Sequence, residues 1–301
     1  MNITKPINFL LTAVLLFSSS AFSFGQKLEP KERKTEADHI ISSEIMGKDY
    51  QLYISFPKSY STKDTVNYPV LYVLDGEYSF PQFQSSQLIM GLGNELEDVI
   101  IVGIGSGLSL GSWLINRTYD YTPSADTLSN GVMEKQYGFP KGMVKSGGAA
   151  KFLEVIKTEI APLVDKHYKT NSDRGITGHS LGGLFTAYCL INSDGYFTRF
   201  GINSPSLWWN SGEFLNQAIS EIENKGNNQM GWDIPLSKVF ISVGELEGPR
   251  MVPTMVKLST HLEEMKSENI ELEQFIFEKE THLSVMSANM NRTLSVLYGK
   301  R

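Results

Sequence analysis

Two kinds of hydrophobic run alternate along the chain. Tyr68–Leu74 (YPVLYVL) and Val99–Ile104 (VIIVGI) are continuous apolar segments, as expected of strands buried on both faces. His39–Met46 and Tyr50–Pro57 read as two strands joined at Gly47-Lys48-Asp49, a hairpin. Arg174–Thr177, Phe200–Ile202, Val239–Val243 and Glu273–Phe277 read as further strands. Between them lie segments with apolar spacing near three and four. These predict helices over Phe80–Leu92, Ala149–His167 (carrying Pro162), Leu181–Ile191, Pro253–Lys266 and Leu283–Leu297. A hairpin followed by strand–helix repetition predicts an α/β fold with a mostly parallel central sheet, an N-terminal antiparallel hairpin and helices on both faces. One stretch breaks the pattern. Gly105–Gly148 is long, rich in Gly, Ser, Tyr and Pro, and shows no clear periodicity, so it reads as a lid or binding insertion.

The N-terminus carries a different signal. Lys5 precedes the apolar run Ile7–Phe17, which is short for a membrane span, and the small residues Ser18 to Ala21 and Ser23 follow. This predicts a secretory signal over 1–25, a charged leader over 26–37 and one domain over 38–301. The alternative is an uncleaved N-terminal anchor. The expected location is secreted or periplasmic, with no stable membrane span once the signal is removed.

Composition narrows the function. The chain has 27 Lys+Arg against 33 Asp+Glu, for a net charge of -6, and no basic cluster. Nucleic-acid binding needs clustered cations to neutralise phosphates, so no nucleic-acid partner is expected. A single cysteine, Cys189, excludes an intrachain disulfide and a cysteine metal cluster, and its helical setting predicts a small buried hydrophobe.

The sharpest chemical signal is Gly178-His179-Ser180-Leu181-Gly182-Gly183, a G-x-S-x-G sequence between a predicted strand and a predicted helix. Such a turn exposes the serine hydroxyl at the carboxyl end of a sheet. The Leu181 N–H then points to where an oxyanion forms. A serine needs a base. Of five histidines, His39 precedes a strand and His167 ends a helix. His179 lies inside the turn, where the backbone is expected to aim it away, and His261 sits mid-helix. His282 alone follows a late strand and suits the order Ser…acid…His. The acid is expected after Val239–Val243, where Glu245 and Glu247 both stand. Glu247 is preferred because it lies further into the loop, toward His282.

Six segments then carry a resemblance: Tyr72–Glu77 (YVLDGE), Asn116–Pro123 (NRTYDYTP), the serine turn, Ser204–Trp209 (SPSLWW), Val243–Glu247 (VGELE) and Glu280–Val285 (ETHLSV). In this order, over roughly residues 38–298, the chain resembles the putative-esterase family of α/β-hydrolases. Within it, the likeness is to enterochelin-esterase-like enzymes, which open siderophore trilactones. The wider family also holds feruloyl and acetyl-xylan esterases and acyltransferases. The resemblance implies an α/β-hydrolase fold, Ser180 as nucleophile, His282 as base and Glu247 as acid. It implies a second oxyanion N–H from Gly76 or Glu77. Asp75 stands where many relatives carry His, and Tyr119 departs from the commoner Arg-Asp pattern before Thr-Pro.

The implied activity is ester hydrolysis through an acyl-enzyme, on a small-molecule ester such as a ferric siderophore trilactone. The chemistry needs no cofactor, and any iron would belong to the substrate. The alternatives are a carbohydrate-ester esterase or acyltransferase on the same residues, and a non-catalytic binding module. Arg117, Trp208 and Trp209 are the candidate substrate contacts, with Arg250 beside them. Trp113, Arg117, Tyr119, Tyr121 and Tyr137 suggest that the insertion covers the site and grips the ligand.

Overall fold

The computed structural model describes residues 36–300 apart from positions 64, 108, 227–233 and 266. The predicted signal segment lies outside the described residues. Among the described residues eight strands form one sheet: β1 (His39–Ser43), β2 (Lys48–Ser55), β3 (Tyr68–Leu74), β4 (Ile100–Gly105), β5 (Thr170–His179), β6 (Arg199–Asn203), β7 (Ser237–Gly244) and β8 (Ile270–Phe277). Their spatial order is β1-β2-β4-β3-β5-β6-β7-β8. The β1–β2 and β2–β4 pairs are antiparallel and the rest are parallel. The predicted mostly parallel sheet with an N-terminal hairpin is therefore the observed one. The hairpin turn falls earlier than expected, since Lys48 and Asp49 already pair with Ser43 and Ser42.

The buried runs behave as their composition demands. On β3, Val70, Tyr72 and Leu74 enter one core cluster, while Leu71 and Val73 enter the other. Both faces are thus dry, and the strand needs no polar alternation. One face is covered by α4 (Ala149–Val155), α5 (Ala161–His167), α6 (Leu181–Asn192), α7 (Trp209–Gly226) and α8 (Val252–Glu264). The other carries α1 (Gly76–Leu92) and α9 (Met286–Tyr298). Cys189 is fully buried on α6, as its setting predicts. Among the described residues no helix is long and apolar enough to cross a membrane.

Three differences from the expected elements have physical causes. The helix expected over Ala149–His167 is broken by a π-helical turn at Ile156–Ile160. Pro162 has no N–H to continue the regular ladder, and the widened turn lies just before it. Helix α1 begins at Gly76, four residues before the expected Phe80, and carries Pro81 in its interior. The insertion is not irregular. It folds as α2 (Leu110–Tyr121) and α3 (Thr127–Tyr137), capped by the side chains of Ser109 and Asp126.

Candidate active site

The serine turn joins β5 to α6. Ser180 has φ 62° and ψ -117°, a region costly for any residue with a Cβ. Close packing holds it there. A Cβ on Gly178 would lie 2.6 Å from the Gly182 backbone, and one on Gly183 would lie 2.5 Å from Asn203 O. The Ser180 N–H donates to Asn203 O at 3.0 Å, and its carbonyl accepts from Ser206 N–H at 3.0 Å. The hydroxyl therefore stands above the carboxyl ends of β5 and β6, at the N-terminus of α6.

Two loops bring the other groups to it. After β7, a short 3-10 turn (Glu245–Glu247) turns the Glu247 carboxylate inward, and its side chain is fully buried. Glu245 points elsewhere, accepting from the Lys279 N–H at 2.8 Å. After β8, His282 donates from Nδ1 to Glu247 Oε2 at 2.6 Å. Its Nε2 lies 3.0 Å from Ser180 Oγ, placed to accept the hydroxyl proton. Glu247 Oε1 accepts from Ser204 Oγ and the Gly244 N–H, both at 2.6 Å. Burial raises the Glu247 pKa, but the bonds from His282, Ser204 and Gly244 outweigh it and hold the carboxyl below its ordinary range. The carboxylate is thus ionised at neutral pH, which fixes the Nδ1–H tautomer of His282 and leaves Nε2 basic.

His179 was expected to be aimed away from the site. Its ring is instead buried and packs against the His282 ring, centroids 4.6 Å apart. Among the described residues neither of its ring nitrogens has a hydrogen-bond partner. Burial, and then the neighbouring His282, pushes its pKa down to about 3, so it stays neutral. It packs as a neutral ring against His282, tilted by 38°.

An open cavity of about 350 Å³ adjoins Ser180 and His282. Trp208, Pro249, Arg250 and Met251 form its far wall, and Ser206 and Glu247 line it as well. Trp208 Nε1 donates to Met251 Sδ at 3.1 Å, and the Arg250 guanidinium lies 5.9 Å from the Trp208 ring. Trp208 and Arg250 therefore both line the cavity. Sequence reasoning missed Ser206, whose hydroxyl is 3.3 Å from Ser180 Oγ. Its only signal was its place in the Ser-Pro-Ser segment.

The other expected contacts are corrected. Trp209 is buried and donates from Nε1 to Ser124 O at 3.0 Å, so it anchors α7 and does not line the cavity. Arg117 is buried and makes a bidentate pair with Asp75. Tyr121 is likewise in the core. Arg117 and Tyr121 therefore point to the body of the protein, and no described residue of the insertion lines this cavity. Gly76 and Glu77 open the first turn of α1, where helix geometry gives their N–H groups no intrahelical carbonyl. The Tyr78 and Ser79 N–H groups bond to Asp75 O. Leu181 holds the matching first position on α6.

Comparison with known proteins gives the chain a family. A model of the putative esterase family matches residues 43–274. Ferri-bacillibactin esterase BesA of Bacillus subtilis is 29% identical over 263 residues, 85% of this chain and 86% of that protein. Apo-salmochelin esterase of Escherichia coli O6:H1 is 32% identical over 161 residues, 53% of this chain and 48% of that protein. The crystal structure of the BES protein from Bacillus cereus matches with a TM-score of 0.73 at 30% identity, covering 86% of this chain and 94% of that one. The chain belongs to the putative esterase family of α/β-hydrolases, in its enterochelin-esterase-like branch, and is a carboxylic ester hydrolase.

Proposed function

We propose that the protein is an exported siderophore esterase that opens trilactone ester bonds through a Ser180–His282–Glu247 triad. The observation that carries the reading is the continuous bond chain from Glu247 Oε2 to His282 Nδ1 at 2.6 Å and from His282 Nε2 to Ser180 Oγ at 3.0 Å, beside an open cavity. Ser180 Oγ attacks the ester carbonyl as His282 Nε2 takes its proton. The carbonyl oxygen becomes an oxyanion, stabilised by the Leu181 N–H and by that of Gly76 or Glu77. His282 then gives its proton to the departing alkoxide, leaving Ser180 acylated. A water attacks the acyl carbon, His282 takes a proton from it, and Ser180 leaves with that proton restored. Glu247 remains ionised throughout and stabilises the imidazolium.

Two relatives support the substrate class, one named for ferri-bacillibactin and one for apo-salmochelin. Trp208 offers an aromatic face and Arg250 a cation, which suit an aryl, anionic arm. The apolar segment Ile7–Phe17 after Lys5 supports export to the periplasm or beyond. The test is a hydrolysis panel of ferric and iron-free catecholate trilactones, feruloyl and acetylated sugars, and short acyl esters. Trilactones should be turned over with the highest kcat/KM, and Ser180→Ala should abolish it. Preference for a feruloyl or acetyl sugar would replace the substrate class, and ester exchange onto an added alcohol in place of hydrolysis would make the protein an acyltransferase. N-terminal sequencing of the exported protein should begin near Ser23 or Gly25.

A further inference from the structure

The structure assigns Arg117 and Trp113, on the inserted helix α2, as positioning residues for the oxyanion hole. This rests on the reading of Ser180 as nucleophile. The two backbone segments that offer oxyanion N–H groups both start from left-handed residues, Asp75 before α1 (φ 53°) and Ser180 before α6 (φ 62°). Neither residue is glycine, so each conformation costs free energy and persists only where surrounding bonds hold it. Beyond the backbone bonds that its carbonyl accepts from Tyr78 and Ser79, the bonds at Asp75 come from α2. Arg117 Nε donates to Asp75 Oδ1 at 2.8 Å and Nη2 donates to Oδ2 at 3.0 Å. Trp113 Nε1 donates to the same Oδ1 at 2.8 Å. The Asp75 N–H donates to Tyr121 Oη at 3.0 Å.

Arg117 also reaches the other segment. Its Nη2 donates to the carbonyl of His179, the residue before Ser180, at 3.4 Å. A Cβ on Gly182 would lie 3.4 Å from Asp75 Oδ2, so the carboxylate itself abuts the serine turn. One guanidinium thus ties the start of α1 to the start of α6. Its face is covered by the Trp113 and Tyr121 rings, at 4.8 and 5.5 Å. Trp113, Arg117 and Tyr121 fall at i, i+4 and i+8, one face of α2. A second tie runs parallel: Glu77 Oε1 accepts from the Ser106 and Gly107 N–H groups, and Asn116 Nδ2 donates to Ser106 O. The insertion therefore acts on the reaction from behind the oxyanion hole, and none of its described residues lines the cavity beside Ser180.

This makes a kinetic prediction. An oxyanion hole binds the transition state and not the ground state, so loosening it lowers kcat with little change in KM. Arg117→Gln should lower kcat on a p-nitrophenyl ester about a hundredfold, the scale of one lost oxyanion donor, with KM within about threefold. Affinity for a phenylboronic acid, whose serine adduct is tetrahedral, should weaken in parallel. Arg117→Lys, which cannot make the bidentate fork, should fall in between. Trp113→Phe keeps the ring and removes one donor to Asp75, so a several-fold kcat loss at constant KM is expected. It carries the test alone if Arg117→Gln does not fold. A raised KM with unchanged kcat and boronate affinity would make Arg117 or Trp113 a substrate contact and overturn the proposal. Unchanged kinetics in the folded variants would overturn it equally. Full activity in Ser180→Ala would instead refute the nucleophile assignment, a separate failure.

Discussion

Two buried carboxylates flank the serine turn, and they are held in opposite ways. Glu247 sits in the loop after β7 and is bound to His282, Ser204 and the Gly244 N–H. Its main partner, His282, is 38% exposed and borders an open cavity. Asp75 sits at the end of β3 and is bound to Arg117 and Trp113, with the guanidinium side chain only 9% exposed. One side of Ser180 is therefore wet and able to meet substrate, and the other is sealed and cross-linked. The contrast suits the chemistry. In the proposed mechanism a proton passes between His282, the leaving alcohol and water, whereas oxyanion donors work best when they need not reorganise.

The comparison can be broken at either carboxylate. Glu247→Gln should cost the most, with kcat falling at least about a hundredfold because the amide no longer fixes the His282 tautomer. Glu245→Gln should change kcat less than about twofold. Steady-state rates for the pair decide which acid serves His282. On the sealed side, Asp75→Ala leaves Arg117 buried without its carboxylate, and denaturant unfolding should show a loss of about 3–5 kcal/mol. A loss near zero would mean that water reaches Arg117.

The two adjacent tryptophans sharpen the same contrast with smaller effects. Trp208→Ala should raise KM for an aromatic ester by about two- to tenfold, the value of one aromatic contact, with Tm nearly unchanged. Trp209→Phe should leave KM alone and cost about 1 kcal/mol of stability through its lost bond to Ser124 O.

The smallest effect is one of pH. Burial pushes the Glu77 carboxyl up to about 7, from 4.5. Its folded pKa lies above its unfolded one, so the folded state binds the extra proton. Glu77 thus favours folding below about 4.5, and that contribution is lost as pH rises through about 7. Gln keeps the acceptor for Ser106 and Gly107 but does not titrate. Glu77→Gln should therefore flatten Tm against pH between 4.5 and 7, and should match or exceed the parent above 7. A parallel pair of curves would place the titrating group elsewhere.

The sheet was legible because β3 and β4 are buried on both faces and spell that burial in Val, Ile, Leu and Tyr. The serine turn was legible from the glycines at 178 and 182; close backbone approach demands the first, whereas a Cβ on Gly182 would meet nothing nearer than 3.4 Å, and the second tight position is Gly183. Glu247 and His282 could be placed because the parallel order puts their loops at the same sheet edge as Ser180. The insertion was not legible. The buried positions of α2 are Leu114, Arg117, Thr118, Asp120 and Tyr121, and with an arginine, a threonine and an aspartate among them the inward face does not read as an apolar run. Arg117 and Trp209 were misplaced for one reason: residue type suggests a ligand contact, but a buried partner decides the direction, and those partners, Asp75 and Ser124, lie 42 and 85 positions away. The start of α1 was placed four residues late, at Phe80, because Gly76, Glu77 and Ser79 add no apolar spacing to announce the first turn.

The central claim is that Ser180, activated by His282, carries the acyl group. It is tested most directly by intact-protein and peptide mass spectrometry after treatment with an organophosphate or a slowly deacylating p-nitrophenyl ester. One adduct per chain on Ser180 is predicted, with release of one equivalent of the leaving group, and labelling should be lost in Ser180→Ala and strongly slowed in His282→Ala. An adduct on another residue, such as Ser206, or hydrolysis that persists in Ser180→Ala without a covalent intermediate, would contradict it.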